Sequence, residues 1–189
     1  IYAGDPKQGE PLIKPLHTFG TPLGAHVGVQ PYVAWQQAFD PLLTAGARNY
    51  WKSHNLSTLK DGLFDAVIAY IGKLPSPQCE IIFGAIGGAT ARPAPGSAAY
   101  VHRDAKFVMN VHGRWEDPTD DKLCIGWARD FFNATTPFAS GGVYVNFLTA
   151  DEDDRVRSAY GPNYDRLAQV KRKYDPDNLF RMNQNIVPA

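Results

Sequence analysis

The run Gly142-Val143-Tyr144-Val145-Asn146-Phe147 is where residue type and spacing most directly suggest chemistry. Read as a strand, its period of two puts Tyr144 and Asn146 on one face and Val143, Val145 and Phe147 on the other. A phenol beside a carboxamide sets a proton-transfer group next to a hydrogen-bond donor, a pairing suited to a surface that meets a ligand. A rim tyrosine next to a solvated asparagine is the commoner occurrence of the same pattern. A second polar set, Asn110, His112 and Arg114, alternates with Met109, Val111 and Trp115, and such a set is more often a solvated face than a site. Just upstream, Tyr100-Val101-His102-Arg103-Asp104 reads equally well as a turn.

Other chemistries find little support. A serine hydrolase needs a G-x-S-x-G elbow, and the chain has none. His17, His26, His54, His102 and His112 are scattered, and neither cysteine has a neighbouring ligand, so no metal site is expected. Cys79 and Cys124 sit in apolar surroundings and read as buried free thiols. The stretch Gly84-Ala85-Ile86-Gly87-Gly88-Ala89 lacks dinucleotide-loop spacing, and no helix is expected before Pro93 and Pro95. Its glycines read as a strand end.

The elements that would position these residues follow from periodicity. The first 30 residues, rich in Pro and Gly, allow only short helical pieces. A short helix is expected over 32–39, after Pro31. A longer one spans 57–74, with Ser57 as N-cap and Pro75 as stop. The apolar run 81–86 and the alternating run 107–115 read as strands. Asp117-Pro118 opens a further helix, 141–148 is a further strand, and 162–174 is a helix ended by Asp175-Pro176. This order predicts an α+β fold, a mainly antiparallel β-sheet flanked by helices, in one domain over 1–189.

Composition agrees with a globular chain: 189 residues, 44% hydrophobic, and 19 basic against 19 acidic side chains. The zero net charge argues against nucleic-acid binding. No apolar run reaches the roughly 20 residues of a membrane span, and there is no signal-peptide pattern, so a cytoplasmic location is expected.

Three C-terminal motifs carry a family resemblance. They are Tyr144-Val145-Asn146-Phe147; Tyr160-Gly161-Pro162-Asn163-Tyr164-Asp165-Arg166-Leu167; and Lys171 with Tyr174-Asp175-Pro176-Asp177-Asn178-Leu179-Phe180, followed by Asn183-Gln184-Asn185-Ile186. In that order the chain resembles the tail of berberine-bridge-enzyme-like FAD-linked oxidases, of the vanillyl-alcohol oxidase superfamily. Pro31-Tyr32 with Gln36, Tyr50-Trp51-Lys52-Ser53, Gly87-Gly88-Ala89 with Arg92, His102-Arg103-Asp104-Ala105 and Trp127-Ala128-Arg129 extend the resemblance over essentially the whole chain. Asp175-Pro176 breaks the last helix, Asn178 suits the turn after it, and Phe180 is placed to anchor the terminal segment.

The resemblance implies the C-terminal half of such an oxidase: a substrate domain whose 141–189 stretch is the berberine-bridge-like segment. The family's N-terminal FAD-binding domain has no counterpart here. It implies FAD as cofactor of the longer protein, not held by this chain alone. Its partners would be the FAD-binding domain of the same protein and a small-molecule substrate. The implied reaction is oxidation of a C–H bond of an alcohol, sugar or amine by hydride transfer to flavin. Tyr144 matches a catalytic-base position, and Asn146, Asn183 and Asn185 match flavin-side positions. His102, Arg103, His112 and Arg114 are candidates for the substrate side, and His102, Arg103 or Arg114 could supply the cation that a basic tyrosine needs. The isolated fragment would be inactive, and the sheet face that covers flavin would favour self-association. The alternative is a stand-alone non-catalytic binding or assembly module of the same fold.

Overall fold

The computed structural model describes residues 2–43 and 45–189. The chain divides into two compact units, 1–45 and 46–189. In the first, α1 (Pro6–Ile13) is capped by the Asp5 carboxylate, which accepts from Lys7 N, with Pro6 at the first helical position. A second helix, α2 (Tyr32–Gln37), follows Pro31 and is shorter than the expected 32–39. Nearly every described side chain of this unit is exposed, as expected of a proline-punctuated segment that builds no apolar stripe.

The second unit is organised by three antiparallel strands: β1 (Arg48–Leu56), β2 (Glu80–Ala85) and β3 (Phe107–Trp115), in the order β1-β3-β2. Between them α3 (Asp61–Ile71) follows β1, and α4 (Asp121–Thr135) follows β3. The two helices pack on the sheet face that carries Tyr50, Leu56, Met109, Val111 and Trp115. Leu63 of α3, with Cys124 and Phe131 of α4, completes a fully buried core. The α+β fold with an antiparallel sheet is therefore the architecture of the chain.

Three elements differ from expectation. Strand β1 was not legible: its run Tyr50-Trp51-Lys52-Ser53-His54-Asn55 has no apolar alternation, yet Lys52, Ser53, His54 and Asn55 are all buried. Helix α3 begins at Asp61, with Lys60 rather than Ser57 at the N-cap. The largest correction is 141–148. It forms no strand; Val145–Phe147 is a single 3-10 turn. Gly141 and Gly142 take φ of 86° and 66°, a left-handed pair that ends extended geometry before Tyr144. Val143 and Leu148 instead join Val156 and Ala159, the latter two on α5 (Val156–Tyr160), in a second small core.

The last helix, α6 (Tyr164–Tyr174), ends in a turn built on Asp175, whose carboxylate accepts from Lys171 Nζ and from the Leu179 and Phe180 amides. Those donors hold its pKa below the ordinary carboxylate value, Lys171 foremost. Asn178 takes φ 52°, as a turn residue can. Phe180, however, is 79% exposed, so within this chain the Asp175 turn rather than an aromatic anchor fixes the segment. No helix of the described residues is long and apolar enough to cross a membrane.

Candidate functional site

The sheet face opposite the helices carries Trp51, Ser53 and Asn55 of β1 beside His112, Asn110 and Val108 of β3, by direct cross-strand pairing. In place of a solvated face, Asn110, His112 and Arg114 are buried. The His112 ring is held from both sides, Nδ1 3.1 Å from Glu80 Oε1 and Nε2 3.0 Å from Asn49 Oδ1. Arg114 Nη1 also reaches Asn49 Oδ1, at 3.4 Å.

The turn at 145–147 delivers aromatic rings to this face. Phe147 lies 6.3 Å from Trp51, and Trp51 lies 4.7 Å from His112. Tyr144 meets Phe147 edge-on at 5.2 Å and Tyr100 at 6.0 Å, and Tyr100 in turn meets His102 at 5.9 Å. The result is a continuous row, His102–Tyr100–Tyr144–Phe147–Trp51–His112. Edge-to-face pairs of this kind fix ring orientation. The Arg103 guanidinium covers Tyr100 at 4.9 Å, and burial pushes the Tyr100 phenol up despite that cation.

Tyr144 and Asn146 do meet, but through the turn rather than a strand face: Asn146 Nδ2 donates to Tyr144 Oη at 2.9 Å. The assumed register is thereby corrected. Val145 and Phe147 are half-buried, not core residues beneath a strand. The expected cation is placed elsewhere, Arg103 over Tyr100 and Arg114 toward Asn49. Gln184 Nε2 donates to Leu148 O at 2.9 Å, which ties the segment of Asn183 and Asn185 to this turn. Asn183 is exposed at φ 59°, and the Oδ1 of Asn185 is buried with no partner.

Sequence reasoning missed the clamp that holds the turn in place. Asp151 accepts from Tyr50 Oη at 2.7 Å and from Arg129 Nη2 at 2.8 Å, while Lys52 lies 3.2 Å from the buried Glu152. Arg155 pairs with Glu152 and donates to Ser53 O, and Ser140 N donates to Asn55 O. These bonds occupy outward carbonyls of the edge strand β1. Burial alone would raise both carboxyls, but donors from Thr149, Tyr50 and Arg129 hold Asp151 well below its usual range. Thr149, Arg155 and Lys52 do the same for Glu152. No periodic signal could have found it, because Tyr50 with Lys52 on one face and Trp51 with Ser53 on the other mix aromatic and polar residues alike.

The family model described as berberine and berberine like matches residues 143–187. An FAD-linked oxidoreductase of Dictyostelium discoideum is 27% identical over the whole chain, which covers 41% of that protein. A chitooligosaccharide oxidase of Gibberella zeae is 34% identical over 87% of this chain and 35% of its own length. The structure of BBE-like 1 from Physcomitrella patens superposes over 98% of this chain and 43% of its own, with a TM-score of 0.78 at 20% identity, a likeness of fold. The chain spans about two fifths of the length of these relatives.

Proposed function

We propose, since the chain belongs to the berberine-bridge-enzyme-like FAD-linked oxidoreductases, that it forms the substrate-side wall of a flavin-dependent oxidase acting on an alcohol, sugar or amine. The aromatic row with the Tyr144–Asn146 pair at its middle is the observation that supports this most. An aromatic row with one amide donor suits a planar ring system, and Asn146, with Asn183 and Asn185 in the same tail, would line the flavin side. FAD, when bound, supplies the acceptor for the hydride.

The chain's own work is proton handling and positioning. Tyr144 Oη is the group that would take the substrate's hydroxyl proton, and Asn146 Nδ2 already donates to that oxygen, supporting charge that develops there. Trp51 and Phe147 would flank the substrate, and His112, held by Glu80 and Asn49, stays fixed beneath it. The partner implied is the FAD-binding domain of the same protein. Exposed Leu179, Phe180 and Met182 offer apolar surface for it or for self-association.

The test is Tyr144→Phe in the protein joined to its FAD-binding domain. Rapid-mixing measurements should show flavin reduction slowed by about 10²–10⁴-fold, the range for losing a general base, with flavin content unchanged. Folding should weaken by no more than about 1.5 kcal/mol, the worth of one hydrogen bond. Flavin reduced at the wild-type rate would remove Tyr144 from the mechanism.

A further inference from the structure

The two ring nitrogens of His112 both face oxygens, Nδ1 3.1 Å from Glu80 Oε1 and Nε2 3.0 Å from Asn49 Oδ1. Other contacts fix which Asn49 atom is the oxygen. Its Nδ2 donates to Ala47 O at 2.8 Å, and Arg114 Nη1 donates to its Oδ1 at 3.4 Å. Turning the amide over would break the first bond and set two donors against each other at the second. The Glu80 side chain is 50% exposed and meets water as a carboxylate. Carboxylate and carbonyl oxygens only accept, whereas a neutral imidazole has one donor and one acceptor nitrogen. A neutral His112 would therefore set lone pair against lone pair on one side. That residue is only 3% exposed, where an unmade hydrogen bond costs most.

Strand register builds this arrangement. His112 of β3 pairs directly with Glu80 of β2 on one side and with Trp51 of β1 on the other, so the three side chains form one row across the sheet. The charged groups facing the ring come from two strands. Glu80 compensates a cation there, and Arg114, which shares the Asn49 oxygen, opposes it. The Trp51 indole lies 4.7 Å from the His112 ring, tilted by 33°. That is within the roughly 6 Å over which a cation is attracted to an indole face. Trp51 in turn meets Phe147 at 6.3 Å, and Phe147 belongs to the turn that carries Tyr144.

We infer that Glu80 and Asn49 hold His112 as an imidazolium with both nitrogens donating, and that this fixed cation positions Trp51 as a wall of the site. His112 is thus a positioning residue that acts through the indole. That Trp51 meets a substrate rests on reading this face as the substrate side; the charge and its grip on the indole do not. In the 189-residue chain labelled with nitrogen-15, both His112 ring nitrogens should resonate in the protonated range at neutral pH. Glu80→Gln, at a half-exposed position, should move one of them to the unprotonated range. A protonated imidazole quenches a neighbouring excited indole by accepting an electron from it. Trp51 emission, read as the difference between the parent and Trp51→Phe, should therefore brighten in Glu80→Gln and in His112→Gln. Circular dichroism verifies that each variant folds, and the parent spectrum with Glu80→Gln decides the matter even where buried His112→Gln does not.

An unprotonated His112 nitrogen in the parent at neutral pH would overturn the charge. Two nitrogens still protonated in Glu80→Gln, or Trp51 emission indifferent to the loss of the carboxylate, would overturn the clamp. Because these spectra need neither FAD nor Tyr144, a wild-type rate of flavin reduction in Tyr144→Phe would refute the proton-transfer reading and leave this result standing. The converse holds equally.

Discussion

Single residues here are constrained by what lies directly against them, and Gly142 shows it most sharply. Its left-handed φ and the His102 ring within 2.1 Å of a would-be Cβ are independent demands for glycine. Gly142→Ala should therefore cost at least the roughly 1–2 kcal/mol of a left-handed alanine, plus displacement of the imidazole. Urea unfolding should show that loss, and the His102 ring resonances should move. Unchanged stability and resonances would mean that the turn relaxes freely. Cys79 and Cys124 mark the opposite case. Both are buried, and burial pushes the Cys124 thiol up to about 12, so they contribute packing and little nucleophilic chemistry.

At the scale of elements, the clamp between β1 and the 149–155 segment decides where the Tyr144 turn sits. Glu152 is buried against Lys52 and Arg155. Glu152→Ala leaves Lys52 with Asp151 alone, at 3.6 Å, takes the carboxylate from Arg155, and should cost roughly 3 kcal/mol, as breaking a buried pair does. Both Asp151 and Glu152 have lowered folded-state pKa values. Their contribution is thus fully present above the unfolded value of about 4 and is lost as pH falls through the folded values. The urea midpoint should hold steady near neutrality and fall below about pH 4, and Asp151→Asn should flatten that fall. A midpoint independent of pH in that range would disprove the clamp.

This scale also shows what the sequence could reveal. Strand β3, helix α4 and helix α6 were legible because their apolar residues keep a period and Asp117-Pro118 and Asp175-Pro176 mark ends. Asp117 does cap the turn leading into α4. Strand β1 was illegible because its buried side chains are polar, and it is held in part by a segment about a hundred residues distant, as in the Tyr50 hydroxyl with Asp151 and Arg155 with the Ser53 carbonyl. The pairing of Tyr144 with Asn146 was legible from its two-residue spacing. The turn that produces it was not, because a pattern of Val, Tyr, Val and Phe favours a strand locally and only Gly141 and Gly142 overrule it.

For the molecule as a whole, the distribution of apolar surface is the property that the chain itself leaves unresolved by its own packing. Leu179, Phe180 and Met182 are each more than three-quarters exposed, although the Asp175 turn fixes the chain on which they lie. Three large apolar side chains close together on an ordered segment are what a contact surface would be made of. Removing them should barely affect folding, since they pack on little here. Phe180→Asp with Met182→Asp should leave the unfolding free energy from urea titration within about 0.5 kcal/mol of the parent, as exposed substitutions do. In light scattering the parent chain should show mass rising with concentration, and the double variant should show less of that rise. In the protein joined to its FAD-binding domain, the same two changes should speed flavin loss on dilution if this surface docks there. A parent that stays monomeric at high concentration, with flavin retention unaffected by the double variant, would show that the stripe meets neither a second copy nor the flavin-binding part.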